Sequence, residues 1–379
     1  VHGPRPRYTS LTAQRKWSVL PEVLQRSIVT LSENVEQNRP IDTEAQSFIR
    51  MMADLPPAAI ASAASEIPLL GGLYHRYPIG HRLWRSVSPI GVERDALEAT
   101  PALAWLYLFH GDGRLREAAL NRIHEAPGSA FQFTALAFWL NDWVEPVRII
   151  AAACARRVFP GTAPPLVAAA ALYLLGQKQL WKRWGQEAVV LDETLFRQDV
   201  ADCLASVFRD KPVGSLSGPM RQVLRHDRID RHLPDLFENA AQPGIRAIAL
   251  QCLIEGRAVW PDGFRQEWVD KSLARSRRVT DFRERDIRQP IPLATLITSG
   301  AADRSAAVRK IAADGLIEHR NALTGMQDTA RKLLHDRSRA VRERMDFYIR
   351  QTQGEASQDP FAYSAPRLSN SPSALPRRQ

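Results

Sequence analysis

Two clusters of side chains carry the chemistry a partner could recognise. Lys178, Trp181, Lys182, Arg183 and Trp184 place two aromatics at i, i+3 and two lysines at i, i+4. On a helix that arrangement can stack on bases or hold phosphates. A helix that buries its tryptophans and leaves its lysines in water shows the same pattern. The second cluster is Lys271, Arg275, Arg277, Arg278, Arg283, Arg285 and Arg288 against Asp281, Glu284 and Asp286, a net +4. Acidic protein and nucleic acid both answer such a cluster, and it is the first choice for a contact surface.

Catalytic signatures are missing from the sequence. There is no Gly-x4-Gly-Lys-Ser/Thr phosphate loop, no His-Glu-x-x-His and no Cys-x2-Cys, and Gly214-Ser215-Leu216-Ser217-Gly218 centres on Leu where a nucleophile elbow needs Ser. His226 and Asp230 lie one helical turn apart, but His232 falls off that face and the intervening arginines repel a cation, so the segment reads as a salt-bridged helix end. Cys154, Cys203 and Cys252 recur at intervals of 49 residues. Helices in neighbouring layers pack roughly 8–10 Å apart, too far for a disulfide or a zinc site, so these read as small residues at helix contacts. No metal or cofactor is expected, and reduced thiols fit a cytoplasmic compartment.

The elements that position these clusters are helices. Apolar residues recur at i, i+3, i+4 and i+7 in segments of about 10–15 residues, broken by Pro, Gly and Asp, which predicts an all-α fold. One short pattern repeats: Asp, four residues, then Val-Arg, as Asp142 to Val147-Arg148, Asp303 to Val308-Arg309 and Asp336 to Val341-Arg342. Looser copies, Leu115-Arg116, Phe196-Arg197 and Ile245-Arg246, keep the apolar-Arg pair without the Asp. Successive pairs are 32, 49, 49, 63 and 33 residues apart, which brackets a two-helix repeat and allows one long insertion.

With this pattern, residues 111–351 resemble the HEAT-repeat family. The resemblance implies a right-handed α-solenoid, in which the Asp closes the turn between two antiparallel helices and the Arg ties neighbouring units. Asp142 and Arg148, Asp303 and Arg309, and Asp336 and Arg342 match those positions. Certain HEAT-like proteins are DNA glycosylases for alkylated bases. The nearest local match here is Trp139-Leu140-Asn141-Asp142-Trp143 with Arg148, where Asp142 already holds the turn position.

The remaining organisation follows from composition. The net charge is +10 over 379 residues, but residues 1–16 hold +4 and residues 352–379 hold +1, so the middle carries a mild +5 that does not by itself imply a polyanion partner. Residues 1–16 read as a disordered basic arm, 17–110 as diverged repeats or a helical cap, 111–351 as the solenoid with an insertion around 271–290, and 352–379 as a disordered tail. Trp84, Trp105 and Trp139 read as core. The longest apolar run, Leu166 to Leu175, is ten residues and too short to span a bilayer. These readings together predict a non-enzymatic scaffold that binds a protein along an extended groove. The alternative is a nucleic-acid binder with or without glycosylase chemistry.

Overall fold

Proline and Asp punctuate the sequence where helices begin. In a computed structural model that describes residues 18–74, 89–178, 180, 181, 183, 185–288, 291–323 and 325–352, these starts separate a series of short helices. The described residues up to Val200 belong to one compact unit and those from Ala201 to a second. The basic arm, Trp84 and all but the first residue of the tail lie outside the described residues.

The first unit runs through α1 (Glu22–Glu36), α2 (Asp42–Ala53), α3 (Ile60–Gly71), α4 (Pro89–Ala99), a 3-10 turn at Pro101–Leu103, α5 (Ala104–Tyr107), α6 (Gly113–Arg122), α7 (Ala130–Trp139), α8 (Glu145–Val158), α9 (Pro164–Gln177) and α10 (Glu187–Leu195). Local sequence sets the ends. Asp112 caps α6 by accepting from Arg114 N at 2.7 Å, and Ser129 caps α7 by accepting from Gln132 N at 3.1 Å. Pro146 opens α8, where Val147, Ala151, Cys154, Ala155 and Val158 form the buried stripe. The apolar run from Leu166 lies in α9, and among the described residues no helix is long and apolar enough to cross a membrane.

Helix α11 (Gln198–Asp210) carries the unit boundary. The second unit continues with α12 (Ser217–Val223), a 3-10 turn at Asp227–His232, α13 (Leu233–Asn239), α14 (Pro243–Glu255), strands β1 (Arg257–Asp270) and β2 (Arg275–Asp286), α15 (Leu293–Ala301), α16 (Ala306–Glu318), α17 (Gln327–Leu334) and α18 (Arg339–Thr352). Here α13 packs on α14, α15 on α16 and α17 on α18, while α14, α16 and α18 follow one another in a row. The approach is close. A Cβ on Gly300 of α15 would lie 2.5 Å from Leu250 Cδ2 of α14, so the Leu250 side chain packs directly over that glycine.

The molecule is mostly helical, in keeping with the all-α expectation, but the insertion expected around 271–290 is an antiparallel hairpin of β1 and β2. It begins at Arg257, earlier than the expected start near residue 271. β-Branched and aromatic residues (Val259, Trp260, Phe264, Trp268, Val269, Val279, Thr280, Phe282) favour a pleated strand over a helix in this stretch.

A repeated arginine–carboxylate bond ties the helix pairs within each unit. Asp142 sits before α8 with its side chain fully buried. Its Oδ1 accepts from Val144 N at 2.8 Å and its main-chain oxygen accepts from Arg148 Nη1 at 3.0 Å. Both carboxylate oxygens also accept from Arg116 of α6, at 2.8 and 3.1 Å. Asp303 repeats the set with Ser305 N, Arg309 and Arg246, and Asp336 repeats it with Ser338 N, Arg342 and Arg309. The loose copies at 116 and 246 therefore use their arginines in the same way, each reaching the Asp of the following pair. Where no such Asp follows, the partner changes: Arg148 faces Glu187 at 3.6 Å, and Arg197 donates to the Thr162 and Pro160 carbonyls.

The other core expectations divide. Trp139 is buried, with the Arg116 guanidinium 5.1 Å from its ring, whereas Trp105 is half-buried. The three cysteines are free thiols, and burial pushes the Cys154 and Cys252 thiols up to about 11 and about 12.

Removing one partner from the most buried pair should be costly, because the other charge is left in the core. Arg116→Ala is expected to destabilise the first unit by about 3–5 kcal/mol. Arg339→Ala, whose side chain is 85% exposed in an i, i+4 pair with Glu343, should change stability by less than about 0.5 kcal/mol. Urea unfolding followed by circular dichroism measures both, and equal effects would contradict the structural role of the pair.

Candidate functional site

The hairpin is built on a buried root. Ala258, Trp260 and Ile287 are buried, and Gly263 at φ +105 turns the backbone where the strand register shifts between Pro261 and Phe264. Two arginines fasten this root to the helices. Arg225 donates to the Pro261 carbonyl at 3.1 Å and to Asp262 at 2.7 Å. Arg285 donates to the Leu224 and His226 carbonyls and holds Asp230 through two bonds of 2.6 and 2.7 Å. At the far end Asp270 closes the turn by accepting from Ser272 N, Ser272 Oγ and Leu273 N. The hydroxyl bond from Ser272 leads the causes that hold its carboxyl below the usual range.

The arginines expected to form one contact surface divide into two groups. Arg277 pairs with Glu267 and Arg283 with Asp262, at 2.7 and 2.6 Å, and Arg285 is spent on the root. Arg265 pairs with Asp281, and Arg257 with Glu255 and Glu284. Lys271, Arg275, Arg278 and Arg288 are exposed and form no ion pair among the described residues, although the register sets Asp270 opposite Arg275.

The side chains that sequence reasoning missed are apolar. Phe264 and Trp268 are 46% and 53% exposed, and Val269 and Leu273 at the tip are 64% and 61% exposed. The register places Phe264 opposite Thr280, Gln266 opposite Arg278 and Trp268 opposite Ser276, so these six share one face. On that face the Arg278 guanidinium lies 3.8 Å from the Phe264 ring centre, close enough for a cation–π contact. The other face carries the neutralised pairs Arg265–Asp281 and Glu267–Arg277. The arm is thus salt-bridged on one side and aromatic on the other, with cations next to the apolar tip. The alternation of Phe264, Gln266 and Trp268 was the one readable signal, but Pro261-Asp262-Gly263 resembles a turn and interrupts the pattern.

The described residues of the other cluster lie outside a helix. Helix α9 ends at Gln177, so Lys178, Trp181 and Arg183 lie beyond it, while Lys182 and Trp184 lie outside the described residues. Gly176 near the end of α9 and Gly185 before α10 punctuate the segment. Lys178 turns to Asp192, and Trp181 packs edge-on against Phe138 with ring centres 5.9 Å apart. Arg183 is exposed, and its backbone N donates to Asn141 Oδ1 at 2.9 Å.

The segment around His226 is used in structural ties, through Asp230 with Arg285 and through His232 and Arg231 with Asp202. Among the described residues no three His, Cys, Asp or Glu side chains gather into a metal site. Comparisons with protein families, curated proteins and solved structures give no match.

Because the root alone fastens the hairpin, its outer part should be dispensable for folding. Replacing residues 263–280 by Asn-Gly, which suits a two-residue hairpin, is expected to shift the melting temperature by less than about 4 °C, equivalent to about 1 kcal/mol. A larger loss in differential scanning calorimetry would place the arm in the core.

Proposed function

We propose that this protein is a non-enzymatic, HEAT-like scaffold whose stacked helix pairs form a solenoid and whose hairpin arm docks a protein partner. One observation carries the reading: the arm pairs Arg257, Arg265, Arg277 and Arg283 with its own carboxylates and Arg285 with Asp230 at its root, while exposing Phe264, Trp268, Val269 and Leu273. A surface meant for polyanions keeps its cations available for phosphates. This one keeps an aromatic and aliphatic tip available, and burying each such side chain contributes about 1.5–3 kcal/mol. Lys271, Arg275 and Arg278 flank that tip, so the partner is a segment with apolar anchors and acidic neighbours. The recurrent Asp–Arg bonds support the HEAT-like assignment. Asp142, the nearest match to a glycosylase carboxylate, spends both oxygens on Arg116 and Val144 N, which favours a structural role for it.

Nucleic acid is the second reading, favoured by the Arg278–Phe264 stack beside Trp268. A single strand can stack on such a platform. The two separate in one experiment. Purified protein and a Phe264→Ser/Trp268→Ser/Leu273→Ser variant are used to capture and identify partners. Labelled duplex DNA and single-stranded RNA are titrated against both at low and physiological salt. The proposal expects a discrete protein partner whose affinity drops more than tenfold in the variant, with nucleic-acid binding weak throughout. Tight nucleic-acid binding with a steep salt slope, reduced by changing Lys271, Arg275 and Arg278 to Ala, would replace it with the second reading.

A further inference from the structure

A groove in the first unit, remote from the hairpin in sequence, has the build of a small-molecule site. Its volume is about 630 Å³, within the range of ligand pockets. One wall is a single face of α2, where Asp42, Gln46, Ile49, Arg50 and Ala53 follow helical spacing. The 3-10 turn at Pro101–Leu103 and the start of α5 add Trp105. The end of α6 and the turn that follows it close the groove with Arg122, His124 and Glu125.

That turn is held in place before any ligand arrives. Arg157 of α8 donates to the Leu120 carbonyl at 2.9 Å and to the Ile123 carbonyl at 2.7 and 3.0 Å, clamping the end of α6. Gln132, itself buried, accepts from Gly128 N at 2.8 Å and lines the groove. A polar turn fixed by a guanidinium on one side and a buried carboxamide on the other loses little entropy on binding.

Two guanidiniums, Arg50 and Arg122, stand in the groove beside two carboxylates, Asp42 and Glu125, so it offers donors for a phosphate and acceptors for N–H and O–H groups. Asp42 accepts from the Thr100 hydroxyl at 3.4 Å and lies in the first turn of α2, where the helix dipole already balances it. Arg122 faces Glu98 at 3.4 Å in an exposed pair, with 39% and 54% of the side chains open to water. Such an exposed pair is weak and is easily exchanged for a stronger acceptor. Arg50 is exposed and forms no ion pair among the described residues. The cations therefore have donors to spare, and the half-buried Trp105 with Pro101, Ala102 and Ala104 offers an apolar wall for a flat ring.

From these features we infer that the groove binds a nucleoside phosphate, with the base against Trp105, the phosphate on Arg50 and Arg122, and the sugar or base N–H and O–H groups facing Asp42 and Glu125. This site is independent of the proposed docking role of the hairpin.

Isothermal titration calorimetry on the full chain tests it, with adenosine 5′-monophosphate, adenosine and inorganic phosphate as probes. The expected result is one site for the monophosphate with a Kd below about 1 mM, at least tenfold tighter than adenosine or phosphate alone. Arg50→Ala and Trp105→Leu should each weaken it about tenfold. Since Arg50 is exposed, Arg50→Ala remains folded and decides the matter even where Trp105→Leu does not. A 5′-phosphorylated tetranucleotide bound more tightly than the monophosphate would assign the site to a strand end, and no gain would assign it to a free nucleotide. No heat with the monophosphate at millimolar concentration, unchanged affinity in Arg50→Ala, or equal affinity for phosphate alone would overturn the proposal.

Discussion

The bond between an arginine of one helix pair and the Asp before the next pair's second helix organises both units. Its geometry explains why only these residue types serve. The guanidinium is a planar fork that meets both carboxylate oxygens at once, and its third nitrogen reaches a main-chain carbonyl six residues back, as Arg309 does at Asp303 and Arg246 at Ala240. The Asp side chain is short enough to accept also from the N–H two residues on. A Lys or a Glu in either place would lose one of these bonds. Buried ion pairs add little net stability compared with apolar packing, so the gain lies in register. Helix pairs whose faces are rows of Ala, Leu and Ile could otherwise slide past one another.

The same bond explains how the molecule accommodates a long arm. Arg116 and Asp142 are 26 residues apart and Arg309 and Asp336 are 27, whereas Arg246 and Asp303 are 57 apart, with the whole hairpin between them. Doubling a loop adds only about 0.6 kcal/mol of closure entropy, a small cost for spacing the same bond across a longer insertion. The arm can therefore extend from the stack without disturbing it. Beyond its root, among the described residues, its side-chain bonds run between its own strands, with salt bridges along one face and exposed aromatics on the other.

The helical class, the recurrent Asp and Val-Arg positions and the burial of Cys154 and Cys252, though not of the half-buried Cys203, were legible because they depend on local helical spacing. Even the loose copies at Arg116 and Arg246 could be found from the apolar-Arg pair alone. What sequence could not supply were partners far along the chain. Nothing near Arg285 announces that Leu224, His226 and Asp230 will absorb its donors, and nothing near Lys178 announces Asp192. A cluster rich in arginine thus reads as one basic patch when three of its members are structural. The hairpin was missed because its strands are charged and interrupted at Pro261-Asp262-Gly263, which weakens the alternation that marks a strand. The groove beside Trp105 was invisible for a related reason: its residues come from three segments, none of which carries a motif.

Acid should weaken the ladder in a defined way. At Asp303 burial raises the carboxyl pKa, but the bonds from Arg246 and Ser305 N outweigh it and hold the value below the usual range; at Asp336 the Arg309 bond leads and the result is the same. A depressed carboxyl contributes stability that is complete above the unfolded value near about 3.9 and is lost as pH falls through the folded value. The most direct test of the ladder is a double-mutant cycle on Arg246→Met and Asp303→Asn, measured by urea unfolding at pH 7 and again at about pH 3. The account predicts a coupling above about 1.5 kcal/mol at neutral pH that shrinks in acid. A coupling below about 0.5 kcal/mol, or one that acid leaves unchanged, would contradict it.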